Sequence, residues 1–265
     1  MKASLLITFY NNLSELDLIL KRVMLLGFDI EIIIADDGST IRSNEIFTKF
    51  RKNGLKIKHI WQPDRGFRAS KIRNLAVLCS NYEYLIFIDA DCIPDENFVS
   101  MHTKLAKKGF FLSGTRVLLS NKLKKYFFNN PYFKINFLNC FFFFLFGHTN
   151  KLLYKLPFNI SLINPLRKKN WKKVQTCNLS LYKVDFTNIG GFDESYIGWG
   201  LEDSDLIVRL INSGVYKKKI IRGAVVFHLW HEIYSRKNLS SNTDRLKYAI
   251  QKKIRFARKS VFKKN

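Results

Sequence analysis

The stretch Tyr84-Leu85-Ile86-Phe87-Ile88-Asp89-Ala90-Asp91 decides the fold. Its unbroken apolar run, with no polar alternation, predicts a strand buried on both faces, as in a parallel sheet between two layers of helices. The same pattern extends back through the chain. Short β-rich runs at residues 4–9, 30–35 and 57–61 alternate with helical patterns from Ser14, near 44–51 and near 69–78. This predicts an α/β fold, Rossmann-like, with a mostly parallel central sheet and helices on both faces. Ligands of such sheets bind beyond the carboxyl ends of the strands. Three predicted strands end in polar residues: Thr8-Phe9-Tyr10-Asn11, Asp36-Asp37-Gly38-Ser39 and Asp89-Ala90-Asp91. The chain has neither a G-x-G-x-x-G after the first strand nor a G-x-x-x-x-G-K-[ST], so a dinucleotide oxidoreductase and a P-loop NTPase are both poorly supported.

Alternate carboxylates at an exposed strand end, as in Asp89 and Asp91, can hold a divalent cation through hard oxygen ligands, and such a cation can hold a diphosphate. Asp36 or Asp37 can accept hydrogen bonds from a ribose or a base, although Asp-Asp-Gly-Ser is equally a good turn. Downstream, Val225-Val226-Phe227 predicts a strand running into His228-Leu229-Trp230-His231. Those two imidazoles can join Asp91 on one metal if the strand end bends over the crevice. Between these motifs, Gly198-Trp199-Gly200-Leu201-Glu202-Asp203-Ser204-Asp205 precedes the helical apolar positions Leu206, Val208, Leu210 and Ile211. Glu202, Asp203 and Asp205 therefore fall in a first helical turn, where the dipole favours negative charge. Capping explains one acid, not three behind a Gly-Trp-Gly; the flat ring of Trp199 and the free backbone of Gly200 suit a sugar face.

The 265 residues carry a formal charge of +24, unevenly spread. Residues 1–96 balance 13 bases with 13 acids, residues 97–184 hold 16 bases and no Asp or Glu, residues 185–214 hold 6 acids and 1 base, and residues 215–265 hold 15 bases and 2 acids. Two basic regions flanking an acidic island point to a polyanionic partner, nucleic acid or an anionic lipid surface; a solvated lysine-rich face is the plainer alternative. In the first basic region, Tyr126-Phe127-Phe128, Tyr132-Phe133 and Phe141 to Phe144 alternate with Lys124, Lys125, Lys134, Lys151 and Lys155, a pattern that suits a bilayer interface or a phenylalanine-rich core helix. From about Asn242, Leu246, Ile250, Ile254, Ala257 and Val261 predict a basic amphipathic helix running to the end, its stripe facing a membrane or the domain itself. No apolar run reaches the roughly 18 residues of a membrane span. No cleavable leader is expected, nor, without a C-x-x-C pair, zinc or redox chemistry for the cysteines at 79, 92, 140 and 177.

Taken together, these motifs resemble a family 2 glycosyltransferase of the GT-A fold. The resemblance rests on Ile7-Thr8-Phe9-Tyr10-Asn11, Asp36-Asp37-Gly38-Ser39, Gln62-Pro63-Asp64-Arg65-Gly66-Phe67-Arg68 with Arg73-Asn74, and Asp89-Ala90-Asp91. The block from Gly190 through Asp203 is similar to the galactosyltransferase-like carboxyl half of bacterial polysaccharide and chondroitin polymerases and of β-1,4-galactosyltransferases. The match covers about residues 3–95 and 175–235. It implies a nucleotide-sugar-binding half (1–117), a basic aromatic insertion for acceptor or membrane contact (118–174), an acceptor-side half (175–235) and a basic carboxyl-terminal helix (236–265).

By position, the resemblance implies that Thr8 and Asp37 contact uracil and ribose with Asp36, Arg68 and Arg73 close by, and that Asp89 belongs to the donor site with Trp199 and Gly200. It assigns metal to Asp91, His231 and His228, the acceptor proton to Asp203 and a sugar hydroxyl to Glu202. Asp205, without such a role, is expected on the helix flank. Ala90 departs from the usual middle residue without touching the ligand positions. The implied enzyme is inverting, uses a divalent cation (Mn²⁺ rather than Mg²⁺ where imidazole ligates), and moves a hexosyl or N-acetylhexosaminyl group from a UDP-sugar to a lipid-linked glycan of lipopolysaccharide, capsule or O-antigen. It would sit in the cytoplasm, peripherally on the inner face of the cell membrane. The competing classes are a basic nucleic-acid-binding protein, which leaves the carboxylate clusters unexplained, and a non-catalytic nucleotide-sugar binder.

Overall fold

The computed structural model describes residues 1–40, 44–152, 170–220, 223–232 and 236–263. Along the chain run β1 (Ser4–Phe9), α1 (Leu13–Leu25), β2 (Glu31–Asp36), α2 (Asn44–Lys52), β3 (Lys56–Trp61), α3 (Ala69–Leu78), β4 (Tyr84–Asp89), β5 (Cys92–Pro94), α4 (Phe98–Lys104), β6 (Phe110–Ser113) and β7 (Thr115–Leu118). There follow α5 (Asn121–Asn129), α6 (Phe137–Leu145), a 3₁₀ turn (Thr176–Asn178), β8 (Leu179–Tyr182), α7 (Lys183–Thr187), α8 (Glu202–Asn212), β9 (Tyr216–Lys219), β10 (Val225–His228) and α9 (Leu239–Gln251).

The main sheet has the order β3-β2-β1-β4-β8-β6-β9 and is parallel except for β8, which runs antiparallel between β4 and β6. Successive side chains of its central strands enter opposite cores, which is why these strands read as continuous apolar runs. Ile7, Ile34 and Ile88 pack with Leu16, Ile19 and Phe47 of α1 and α2 on one face. Leu6, Ile33 and Phe87 pack with Ile72 and Ala76 of α3 and with Leu206 and Leu210 of α8 on the other. A second sheet, β5-β10-β7, sets His228 opposite Cys92, next to Asp91. This is the expected GT-A arrangement.

One expectation needs correction. The carboxyl-terminal helix stops at Gln251. Lys253 turns left-handed at φ 49°, Ile254 N–H closes back on the Ala249 carbonyl, and the chain beyond packs on the domain: Ala257 N–H donates to Ile189 O, Arg258 N–H to Asp193, and Phe262 meets the Phe186 ring. Ile254, Ala257 and Val261 therefore do not continue the stripe of Leu246. The aromatic insertion, in contrast, is only partly a core element. Leu123 and Phe127 of α5 are buried, whereas α6 buries Cys140 and leaves Leu138, Phe141, Phe142, Phe144, Leu145 and the following Phe146 exposed. No helix among the described residues is long and apolar enough to cross a membrane. Lys155 lies outside the described residues, as does the rest of 153–169.

Candidate active site

Parallel register brings three strand ends to one edge of the sheet. Thr8 is the partner of both Ala35 and Asp89, and Phe9 of Asp36. Arg73, on α3, reaches across this edge. Its Nε donates to Thr8 Oγ1 at 2.9 Å and its Nη2 to Asp89 Oδ1 at 3.1 Å, while Nη1 lies 3.3 Å from Glu202 Oε1 and 3.5 Å from Asp203 Oδ1. The guanidinium also lies over the Phe192 ring, 5.3 Å from its centroid. Burial opposes its charge, but Asp89, Asp203 and Glu202 outweigh burial and hold the proton more tightly than usual.

The Asp36-Asp37-Gly38-Ser39 turn divides its carboxylates between two tasks. Asp36 accepts Ser39 N–H at 2.8 Å and sits 2.9 Å from His59 Nε2, so its side chain is committed to the turn and to β3 and is 1% exposed. Asp37 accepts Arg68 N–H at 2.8 Å and the Gln62 amide; burial pushes its pKa up, against those two donors. Gly38 has φ 96°, and a Cβ there would come within 2.5 Å of Asp64 Cα, so only glycine fits. The Arg68 guanidinium turns to the Pro63 carbonyl. Of the residues assigned to the donor, Asp36 and Arg68 therefore spend their side chains on this loop.

Across the crevice, Gly198 and Gly200 adopt φ of 75° and 110°, and Leu201, which carries a Cβ, is held at 73° before α8 begins. Gly198 N–H bonds Phe67 O, and Asn242 on α9 donates to the carbonyls of Gly200 and Ile197. The turn is thus pinned from both sides, presenting Trp199 beneath the Arg236 guanidinium. Asp203 receives two hydrogen bonds from Thr176, one from its N–H at 2.9 Å and one from its hydroxyl. Beside it, the Glu202 carboxyl is pushed up to about 7, by burial first and then by the Asp203 charge, with Arg73 opposing; its Oε2 is buried without a hydrogen-bond partner among the described residues.

Asp205 departs from expectation. It is buried, bonds Arg209 Nε at 2.7 Å and accepts from Tyr196 at 3.3 Å; the fully buried Arg209 also donates to the Ile189 and Gly191 carbonyls. Arg209, one helical turn on, ties the pair to the Gly190-Gly191 turn. The acid is a core ion pair rather than a flank residue.

Asp91, His228 and His231 do converge. His228 Nε2 is 3.5 Å and His231 Nε2 3.3 Å from Asp91 Oδ2, and ligand atoms of all three lie within 4.8 Å of one another. Leu229 N–H donates to the Asp91 carbonyl at 2.8 Å, which folds β10 over the β4 end. His231 Nδ1 contacts the Glu232 carbonyl at 2.6 Å, so Nδ1 is the donor and Nε2 is the nitrogen turned to Asp91. Burial lowers the His228 pKa against Asp91, favouring the neutral imidazole that ligation needs. One carboxylate and two imidazoles, a mixed oxygen and nitrogen set, suit a divalent transition-metal ion such as Mn²⁺ or Zn²⁺.

Sequence reasoning had not found Thr176 or Asn242. Neither sits in a motif: Thr176 acts on the Asp203 carboxylate and Asn242 on the carbonyls of Ile197 and Gly200, pairings that only the folded chain creates.

Residues 4–174 match Glycosyl transferase family 2, and residues 157–231 match the N-terminal domain of galactosyltransferase. The chain belongs to glycosyl transferase family 2. It is 27% identical to chondroitin synthase of Escherichia coli over 76% of this chain and 30% of that protein. Validoxylamine A glucosyltransferase of Streptomyces hygroscopicus subsp. jinggangensis is 28% identical over 71% of this chain and 45% of that protein. The chain thus spans less than half of either relative. Among solved structures, S. aureus TarS 1-349 in complex with UDP superposes with TM-score 0.65 at 14% identity, over 98% of this chain and 67% of that one. The mannosyltransferase PcManGT from Pyrobaculum calidifontis, in complex with GDP-Man and Mn²⁺, gives 0.57 at 14% identity, over 85% and 56%.

Proposed function

We propose that the protein is an inverting glycosyltransferase that moves a hexosyl or N-acetylhexosaminyl group from a UDP-sugar to a hydroxyl of a growing glycan. The observation that carries this reading is Arg73, whose single guanidinium joins Asp89 on the donor side to Glu202 and Asp203 on the acceptor side. The nucleoside would lie along Thr8 and Asp37, and the transferred sugar against Trp199 and Gly200. Asp203, held by two donors from Thr176, faces the acceptor as the base that takes its hydroxyl proton while the anomeric carbon is attacked in line. Glu202 holds a sugar hydroxyl. Asp91, His228 and His231 would hold a divalent cation, Mn²⁺ in our assignment, which supplies charge stabilisation to the departing diphosphate.

The acceptor is proposed to be lipid-linked, with lipopolysaccharide, capsule or O-antigen as the setting, and the enzyme to work on the inner face of the cell membrane. Five exposed aliphatic and aromatic side chains of α6, followed by Phe146 and flanked by a chain segment without a single acid, support this. The test is a panel of nucleotide sugars incubated with the protein and Mn²⁺, following release of the nucleotide. Faster release from a UDP-sugar than from its GDP counterparts, lost in Asp203→Asn, is expected; no release from any donor contradicts the assignment.

A further inference from the structure

We infer that the basic groove beside Asp203 seats an acceptor glycan that itself carries negative charge. The inference rests on the glycosyltransferase reading and adds the chemical class of its acceptor. The groove has a volume of about 490 Å³ and lies over the 3₁₀ turn, between the β6–β7 junction and the end of β9, a size within the range of ordinary ligand sites. Arg116, Lys151, Lys172, Lys173, Lys217 and Lys219 line it, and no Asp or Glu does among the described residues.

The absence of acids is systematic: no Asp or Glu occurs from 97 to 184, the span that supplies four of those six cations. Lysines on a merely solvated face are usually interspersed with acids. Here they face one another. Burial, and then the charges of Lys219 and Arg116, lower the Lys151 pKa. Lys151 is also tethered, its ammonium donating to the Arg116 carbonyl at 2.6 Å, so the repulsion is built into the fold and a bound anion would relieve it.

The groove opens where an acceptor must arrive. Gln175 and Cys177 line it and flank Thr176, the residue that holds Asp203. Leu118 also lines it and is the register partner of His228. The donor side, Thr8 and Asp37 at the ends of β1 and β2, is formed by other elements. A bilayer is the wrong shape for a concave groove, and the exposed apolar side chains belong to α6 instead.

The anion can be a sugar carboxylate or a backbone phosphate, and the experiment separates them. Three probes are titrated against the protein with Mn²⁺ and UDP present: a hexasaccharide of alternating glucuronate and N-acetylglucosamine, its carboxyl-reduced neutral counterpart, and a glycerophosphate oligomer. At least one charged probe is expected to bind roughly tenfold more tightly than the neutral one, the sum of a few screened ion pairs, and to weaken between about 50 and about 300 mM salt. The combined Lys172→Gln, Lys173→Gln and Lys219→Gln substitutions, all on exposed side chains, should erase that preference while UDP binding persists. Equal affinity for charged and neutral probes in the unmodified protein, or a preference that survives the triple substitution, overturns the inference. So does loss of anionic-vesicle binding in the triple variant with no oligosaccharide preference to begin with. Failure of the unmodified protein to bind UDP with Mn²⁺ instead brings down the glycosyltransferase reading, whatever the probes do.

Discussion

Arg73 Nη1 lies 3.5 Å from Asp203 Oδ1, which ties a helix of the amino-terminal half to the first turn of α8, 130 residues further on. The same guanidinium holds Asp89 at 3.1 Å, so one side chain bridges the end of β4 and the candidate base. Arg73→Met leaves three carboxylates facing one another without a cation. Stability should fall by roughly 3–5 kcal/mol, as when one partner of a buried ion pair is removed, and turnover should be lost. Denaturant unfolding measures the first; a loss below about 1 kcal/mol would mean that the bridge is incidental.

Glu202 links this cluster to pH. Its folded-state pKa is raised to about 7 from 4.5, so the folded protein binds more protons than the unfolded chain between those values. The sign follows: this group makes the protein less stable as pH rises from about 4.5 to about 7, and the penalty, on the order of 3 kcal/mol, is fully present above 7. Glu202→Gln should flatten the fall measured by unfolding midpoints between about pH 5 and about pH 8. An unchanged pH dependence would place the shift elsewhere.

Asp203 and Asp205 should separate chemistry from folding. Asp203→Asn keeps the side-chain shape but cannot take a proton, so turnover should fall by roughly 10²- to 10⁴-fold while UDP affinity stays near that of the unmodified protein. Asp205→Asn removes the counter-charge of the buried Arg209, and stability should fall by roughly 3 kcal/mol. Rates against donor concentration, together with melting curves, distinguish them. A normal rate in Asp203→Asn would move suspicion to Glu202.

The sheet and the site were legible to different depths. The central strands could be read because both of their faces are buried and their middle residues are apolar, and the convergence of Asp91, His228 and His231 could be read because side chains able to ligate metal are few and distinctive. Asp205 was misplaced because its partner, Arg209, is set by helical facing, and the loop partners of Asp36 and Arg68, His59 and the Pro63 carbonyl, are set by turn geometry that no motif announces. The tail misled because Ile254, Ala257 and Val261 keep helical spacing, while Lys253 in a left-handed conformation ends the helix and their backbone is drawn to Ile189 and Asp193.

That packing changes how membrane attachment should be tested. Removing residues 242–265 also removes Asn242 from the Gly200 carbonyl, so it should damage the site itself. Phe141→Ser, Phe142→Ser and Phe146→Ser act on exposed rings instead. Co-sedimentation with anionic vesicles should drop strongly, since a ring buried in the interface contributes roughly 2 kcal/mol, with the melting temperature unchanged. Undiminished sedimentation would leave attachment to the basic surface alone.

The proposed metal-assisted nucleoside diphosphate site lies at the ends of β1, β2 and β4. Its most direct measurement is calorimetric titration of UDP into the protein with Mn²⁺, with excess chelator, and in Asp91→Ala. Binding with Mn²⁺ that disappears in the other two is the predicted result. Equal UDP affinity in all three would contradict the account.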